Sequence, residues 1–315
     1  MTVAVVFAYH DVGVGCLETL LDCGVKVPLV VSHRDDPGEN IFFASVAKLS
    51  ADKGIECIFP EDPNTSEIIE RVRALQPDFL FSFYYRRMLK PELLKAARRG
   101  AFNMHGSLLP KYRGRAPVNW AVLHGEQETG ATLHEMVEKP DAGRLVDQQA
   151  VPIGPDDTAG EVFARVTLAA QTVARRAIPK LIDGSAVLIP QDLRRGSYFG
   201  GRKPEDGRIN WLLSAQVIHN LVRAVAPPYP GAFTPIGDST LKILKTRLLN
   251  EKIVIASQPA MQYQKEYSRL VAQCGDSSLL QIQQMQWDNA PFTPDEFLSR
   301  FGPHPLPLTF TPPVL

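Results

Sequence analysis

Apolar residues in the first hundred positions come in short runs separated by longer stretches of helical period. Val3 to Ala8 is an unbroken, largely β-branched run of the kind a buried parallel strand needs. Asp11 to Gly15 reads as a turn, and CLETLLDCG as a helix closed by Gly24. The alternation repeats: strand Val27–Val31, helix Ala44–Lys53, strand Glu56–Phe59, helix Ser66–Leu75 with Ser66 as its N-cap, strand Phe79–Phe83. Pro91 suits the first turn of a short helix and Gly100 its stop, which leaves Ala101–His105 as a fifth strand. Strands alternating with helices predict an α/β fold, a Rossmann-like and mostly parallel sheet with helices on both faces. Such sheets bind ligands at the carboxyl ends of their strands.

Further along, Gly106 to Arg115 carries two glycines, a proline and several hydroxyl or basic groups, and predicts a loop that wraps something. A helix restarts at Ala116-Pro117, strands are predicted over Gly130–Glu135 and Leu145–Ala150, and Pro140-Asp141-Ala142-Gly143 is the turn between them. Asp156-Asp157-Thr158 precedes a long amphipathic helix ending by Gly184. Near residues 195–205 the texture changes to glycine, proline and charge. Beyond it, a helix over Ala215–Val225, the turn APPYPGA and short strands to about Ile282 predict a small β-barrel-like module of OB type. The expected division is 1–200 for the catalytic domain, 201–300 for the β-barrel-like domain and 301–315 for a proline-rich tail without regular structure.

A length of 315 residues agrees with two domains, and 44% hydrophobic with 22% charged residues is an ordinary globular balance. Lys plus Arg and Asp plus Glu both total 34, so nothing in the charge speaks for a nucleic-acid partner. The four cysteines show no CxxC or other metal-ligand spacing and read as free thiols of a reducing compartment, with no metal expected. MTVAVVFAYHD lacks a basic leader and reaches charge after a short apolar run, so neither a signal peptide nor membrane insertion is expected; the expected location is cytoplasmic.

Chemistry concentrates between Phe102 and Gly143. On a strand, Asn103 and His105 share a face and reach one pocket. An amide N–H suits a developing oxyanion, an imidazole suits a proton shuttle, and a carboxylate such as Asp141 orients the imidazole and stabilises its charged form. Arg115, at a helix start where a cation gains nothing from the dipole, reads as a ligand-binding residue. Arg202, after a glycine pair, is either a diphosphate contact or a solvated linker charge. Gly13-Val14-Gly15 opens a dinucleotide fingerprint, but Glu18 occupies the position where glycine or alanine is needed, so a dinucleotide oxidoreductase is disfavoured.

The run FNMHGSLLPKYRGRAP, with Asp141 in EKPDAG, resembles the folate-dependent formyltransferases, as do RKPEDGRINW and RAVAPPYPGAF. The likeness covers nearly the whole chain and thins after about Asn250. It implies formyl transfer from 10-formyltetrahydrofolate, with Asn103, His105 and Asp141 as the catalytic trio. It also implies a folate site bordered by Arg87, Met88, Leu89, Arg115, Val137, Glu138, Lys139 and Pro140. Tyr229, in a proline-set turn, is implied near the substrate end of the cleft. FAYHDVG, HRDDPGEN and FSFYYRRML are similar to the branch that formylates UDP-4-amino-4-deoxy-L-arabinose in lipid A modification, where this domain begins a bifunctional polymyxin-resistance enzyme. The expected small-molecule partners are therefore folate and a UDP-amino sugar, with the oxidative decarboxylation assigned to another polypeptide. Two alternatives stand beside this reading: a methionyl-tRNA formyltransferase, against which the acidic HRDDPGEN loop speaks, and a non-catalytic folate or nucleotide-sugar binding module.

Overall fold

A computed structural model describes residues 1–251 and 253–309. Its elements in chain order are β1 (Val3–Ala8), α1 (His10–Asp22), β2 (Lys26–Val31), α2 (Val46–Asp52), β3 (Glu56–Ile58), α3 (Ser66–Ala74), β4 (Phe79–Phe83), α4 (Pro91–Leu94) and β5 (Gly100–His105). Then come β6 (Arg113–Gly114), α5 (Pro117–Leu123), β7 (Glu128–Glu135), β8 (Leu145–Pro152), α6 (Ala159–Asp183) and β9 (Tyr198–Phe199). The remainder is α7 (Ala215–Val225), β10 (Ala232–Ile236), β11 (Ser239–Leu249), β12 (Ala260–Gln264), β13 (Arg269–Gln273), β14 (Leu279–Trp287), β15 (Ala290–Phe292), α8 (Pro294–Phe301) and β16 (Leu306–Pro307). Two compact units emerge, one of residues 1–118, 128–152 and 162–201, the other of 119–127, 153–161 and 202–315. The short segments 119–127 and 153–161 thus group with the second unit, where a single cut near residue 200 assigns them to the first.

The first unit is the expected α/β sheet, in the order β3-β2-β1-β4-β5-β7-β8. Strands β1 to β5 pair in parallel, and β7 and β8 add antiparallel. Strand period 2 sorts the buried runs onto two faces. Val5, Phe7, Leu29, Val31 and Leu80 bury one face against Ile68, Ile69 and Val72 of α3. The other face takes α1, which packs on β1 and β4. A Cβ placed on Gly13 lies only 3.3 Å from Ala8 Cβ and from the Phe83 carbonyl, so helix and sheet are in close approach there. Helix α1 begins at His10, so the predicted turn over Asp11–Gly15 is helical instead. Thr65 rather than Ser66 caps α3, accepting from the Ile68 amide.

In the second unit, antiparallel strands run β10-β11-β14-β13-β12-β16 with β15 on β14, the barrel-like module that the short strands predicted. Trp211, Ile218, Val222, Leu241, Ile243, Leu270, Leu280 and Phe297 form its core. Register shifts between Ile243 and Thr246 bend the long β11. Helix α8 was not expected, although Thr293 and Glu296 form a capping box around Pro294. The tail was expected to lack regular structure from Phe301. Leu306 and Pro307 correct this by pairing with Met261 and Ala260, so proline here sits on an edge strand that it tolerates. The rest of the expected tail, residues 310–315, lies outside the described residues. Among the described residues no helix is long and apolar enough to cross a membrane.

Candidate active site

Strand β5 carries Asn103 and His105 to the carboxyl end of the sheet, between β4 and β7. Its register places Asn103 beside Ser82 on one side and His134 on the other, with His105 opposite Thr132. The face shared by Asn103 and His105 therefore also receives His134. Asn103 Nδ2 lies 3.1 Å from His134 Nε2, while His134 Nδ1 lies 2.9 Å from the carbonyl of Glu135. A carbonyl only accepts, so the His134 proton belongs on Nδ1 and Nε2 accepts one N–H of Asn103. The second Asn103 N–H has no partner among the described residues.

His105 is buried, and its Nε2 lies 2.8 Å from the Tyr112 carbonyl. By the same argument Nε2 donates, which leaves Nδ1 of the neutral ring with its lone pair facing Asp141 Oδ1 at 3.7 Å. That distance is too long for a direct hydrogen bond and becomes an ion-pair contact once the ring is protonated. Asp141 Oδ1 also stands 3.4 Å from His134 Nε2, and Oδ2 accepts the Gly114 N–H at 2.8 Å. Burial acts to raise the Asp141 carboxyl. The Gly114 N–H, together with His105 and His134 whenever either ring carries a proton towards the carboxylate, outweighs it and holds the group well below the usual carboxylate range. The site therefore contains a fixed anion between two imidazoles.

The predicted loop 106–115 contains a short element. Arg113 and Gly114 form β6, paired in parallel with Tyr198 and Phe199 of β9. Gly114 has a φ of 98°, and a Cβ there would lie 2.1 Å from the Phe199 carbonyl oxygen, so only glycine allows this approach. Thr132 Oγ1 donates to the Ser107 carbonyl at 2.6 Å, and Gln148 Nε2 donates to the Leu109 carbonyl at 2.9 Å. Side chains of β7 and β8 thereby hold the start of the loop, and β9 holds its end.

Of the remaining expected residues, Arg87 and Met88 are exposed after β4, whereas Leu89 turns into the core beneath them. Val137, Glu138 and Lys139 are exposed in the turn leading through Pro140 to Asp141. Arg115 is exposed, with its amide donating to the Phe199 carbonyl at 2.9 Å. In the second unit, the Arg202 guanidinium lies over the Trp120 ring at 4.8 Å and donates to the Asp206 carbonyl. Tyr229 is half-buried in the turn after α7. The structure thus brings Asn103, His105 and Asp141 into one network. His134 completes it and was missed, because its place opposite Asn103 depends on the antiparallel pairing of β7. Among the described residues no group of three or more His, Cys, Asp or Glu is placed to hold a metal ion.

Residues 16–178 match the family model described as formyl transferase, and residues 202–302 match the formyl transferase C-terminal domain. Among solved structures, the fold is similar to an N-formyltransferase from Helicobacter canadensis in complex with folinic acid and dTDP-3-aminofucose. The TM-score is 0.71 at 24% identity, over 90% of this chain and 99% of that one. WlaRD, a sugar 3N-formyl transferase solved with dTDP and 5-N-formyl-THF, gives 0.69 at 23% identity over 90% and 97%. A sugar N-formyltransferase from Shewanella sp. gives 0.63 at 18% over 79% and 99%. At these identities the likeness is one of fold.

Proposed function

We propose a reaction from the fact that this chain belongs to the formyl transferase family: it moves a formyl group from 10-formyltetrahydrofolate to the primary amine of a nucleotide-linked amino sugar. One observation carries the reading, the network of Asn103, His134, Asp141 and His105 at the carboxyl end of β5. Asn103 donates its free N–H to the formyl oxygen as negative charge develops there, the task of an oxyanion donor. His105 takes the proton that the attacking amine loses, at Nδ1, since Nε2 is committed to the Tyr112 carbonyl. It then delivers that proton to the departing folate nitrogen, so the imidazole ends as it began. Asp141 stabilises the imidazolium between these two transfers.

For the cosubstrate, the exposed residues Arg87, Met88, Arg115, Val137, Glu138 and Lys139 and the half-buried Pro140 are the proposed border, with Leu89 supporting them from the core. Two structures of similar fold were solved with folinic acid and with 5-N-formyl-THF, and both also held a dTDP compound. For the acceptor, UDP-4-amino-4-deoxy-L-arabinose is the proposed sugar, in lipid A modification, with Arg202 and Tyr229 as its binding residues. The loop HRDDPGEN supports a sugar over tRNA. It sets three carboxylates, Asp35, Asp36 and Glu39, against Arg34, and Glu39 also takes up the neighbouring Arg86 in a bidentate pair, so the loop offers phosphates little net positive charge. The test is to supply the purified chain with 10-formyltetrahydrofolate and, separately, UDP-4-amino-4-deoxy-L-arabinose, other nucleotide-linked amino sugars, or methionyl-tRNA. Formylation of a nucleotide sugar is expected, and turnover with tRNA alone refutes the reading.

A further inference from the structure

Two residues at the centre of the network stand in the left-handed region without being glycine: Tyr112 at φ 55° and Asp141 at φ 50°. Such a backbone is strained for a residue with a side chain and persists only where its surroundings over-determine it. Both residues are held from one stretch of chain, Ile189 to Phe199. Gln191 Nε2 donates to the carbonyls of Asp141 at 3.0 Å and Gly143 at 2.5 Å. Ser197 Oγ accepts from the Tyr112 amide at 2.8 Å, and the Ser197 carbonyl accepts from the Arg113 amide at 3.0 Å. Paired backbone bonds between Leu145 and Ile189 anchor the start of the stretch, and the β6–β9 pairing anchors its end.

Gln191 holds its position at a cost. Its Oε1 is buried with no partner among the described residues. An unpaired buried acceptor is unfavourable, a cost that a leucine of similar size avoids, so what the glutamine contributes is its two N–H bonds. Those bonds reach the turn that aims the Asp141 carboxylate, and the Ser197 bonds reach the residue whose carbonyl accepts the His105 Nε2–H hydrogen bond. Neither side chain bonds to Asn103, to His105 or to the Asp141 carboxylate, so each acts through one intervening group.

We infer that Gln191 and Ser197 are positioning residues, which brace the two strained turns and thereby fix the Nε2–H form of His105 and the orientation of the carboxylate facing it. The consequence for rate rests on the reaction proposed above; the consequence for the ring does not. The test compares the full chain with Ser197→Ala, Gln191→Leu and, as the variant that keeps the hydroxyl, Ser197→Thr. Kinetics use 10-formyltetrahydrofolate with UDP-4-amino-4-deoxy-L-arabinose. The ring form is read from ¹⁵N shifts of labelled histidine, with His105 assigned by its loss in His105→Ala. Ser197→Ala and Gln191→Leu are each expected to lower kcat about tenfold with both KM values nearly unchanged, since small misplacement of catalytic groups acts on the transition state. They are also expected to shift the pH profile of kcat/KM and to turn a single Nε2–H pattern into a mixture. Ser197→Thr restores both readouts. An unchanged His105 pattern in both variants overturns the inference, as does a kcat that falls only in proportion to the folded fraction. A wild-type chain that formylates no acceptor defeats the proposed function instead, while the ¹⁵N pattern still decides the role of the brace.

Discussion

Replacing Asp141 by asparagine removes a charge and little else. The new side chain has the same shape, and its carbonyl oxygen can still accept the Gly114 N–H that Asp141 Oδ2 accepts at 2.8 Å. What disappears is the attraction between the carboxylate and the imidazolium formed on His105 during transfer. Unit charges 3.7 Å apart attract by about 4.5 kcal/mol at an effective dielectric of about 20. Asp141 keeps 14% of its side-chain surface exposed, so water screens part of this and about 2–4 kcal/mol is the expected loss. That corresponds to a fall in kcat of about 30- to 1,000-fold, with little change in either KM, because the charge is needed only once the ring is protonated. Steady-state kinetics under saturating folate, with the thermal unfolding midpoint as a control, measure it. A variant within about threefold of wild type refutes the role given to the carboxylate. Asp141→Ala is a poorer probe, since it strands the Gly114 N–H at a cost of about 1–3 kcal/mol in stability and mixes folding with rate.

His105→Ala is expected to lower the rate by roughly 10²–10⁴ while leaving the fold intact, read from kcat and the near-ultraviolet circular dichroism; near-normal turnover removes the imidazole from the mechanism. A pH effect on stability arises from His10 and His33. Burial lowers His10 to about 4 against the opposing pull of Asp11. Burial, joined by Arg86 and Arg87, lowers His33 to about 4. Both folded values lie below the unfolded value of about 6.5, so between the two the unfolded chain binds more protons. Their contribution is fully present above about pH 6.5 and is lost as the pH falls towards about 4. Urea unfolding across this window is expected to show a shallower slope for the double variant His10→Phe, His33→Gln, and an unchanged slope contradicts the assignment.

Much of the first unit was legible because its strands are buried on both faces. Val3–Ala8 and Phe79–Phe83 are continuous apolar runs whose limits coincide with β1 and β4. Helix α7 was equally plain, its expected limits Ala215 and Val225 being those observed. What was not legible depends on partners far along the chain. His134 gains meaning only opposite Asn103, and β6 exists only because Tyr198 and Phe199 return to it. Gln191 and Ser197 look like ordinary polar residues between a helix and a boundary until their bonds to Asp141 and Tyr112 are seen. The α1 start was hidden for a local reason: His10 adopts φ 68°, a left-handed value that its residue type does not announce. The edge strand β16 was hidden by proline, which reads as disorder in sequence yet costs nothing where no ladder N–H is required.

The central claim is tested most directly by tracking the formyl carbon itself. The purified chain is mixed with 10-formyltetrahydrofolate carrying ¹³C in the formyl group and with UDP-4-amino-4-deoxy-L-arabinose, and the label is observed by NMR. The account predicts that the ¹³C signal leaves the folate and appears as a formamide on the sugar nitrogen, in wild type far faster than in His105→Ala. Label that stays on folate, or that moves at the same rate in the variant, contradicts it.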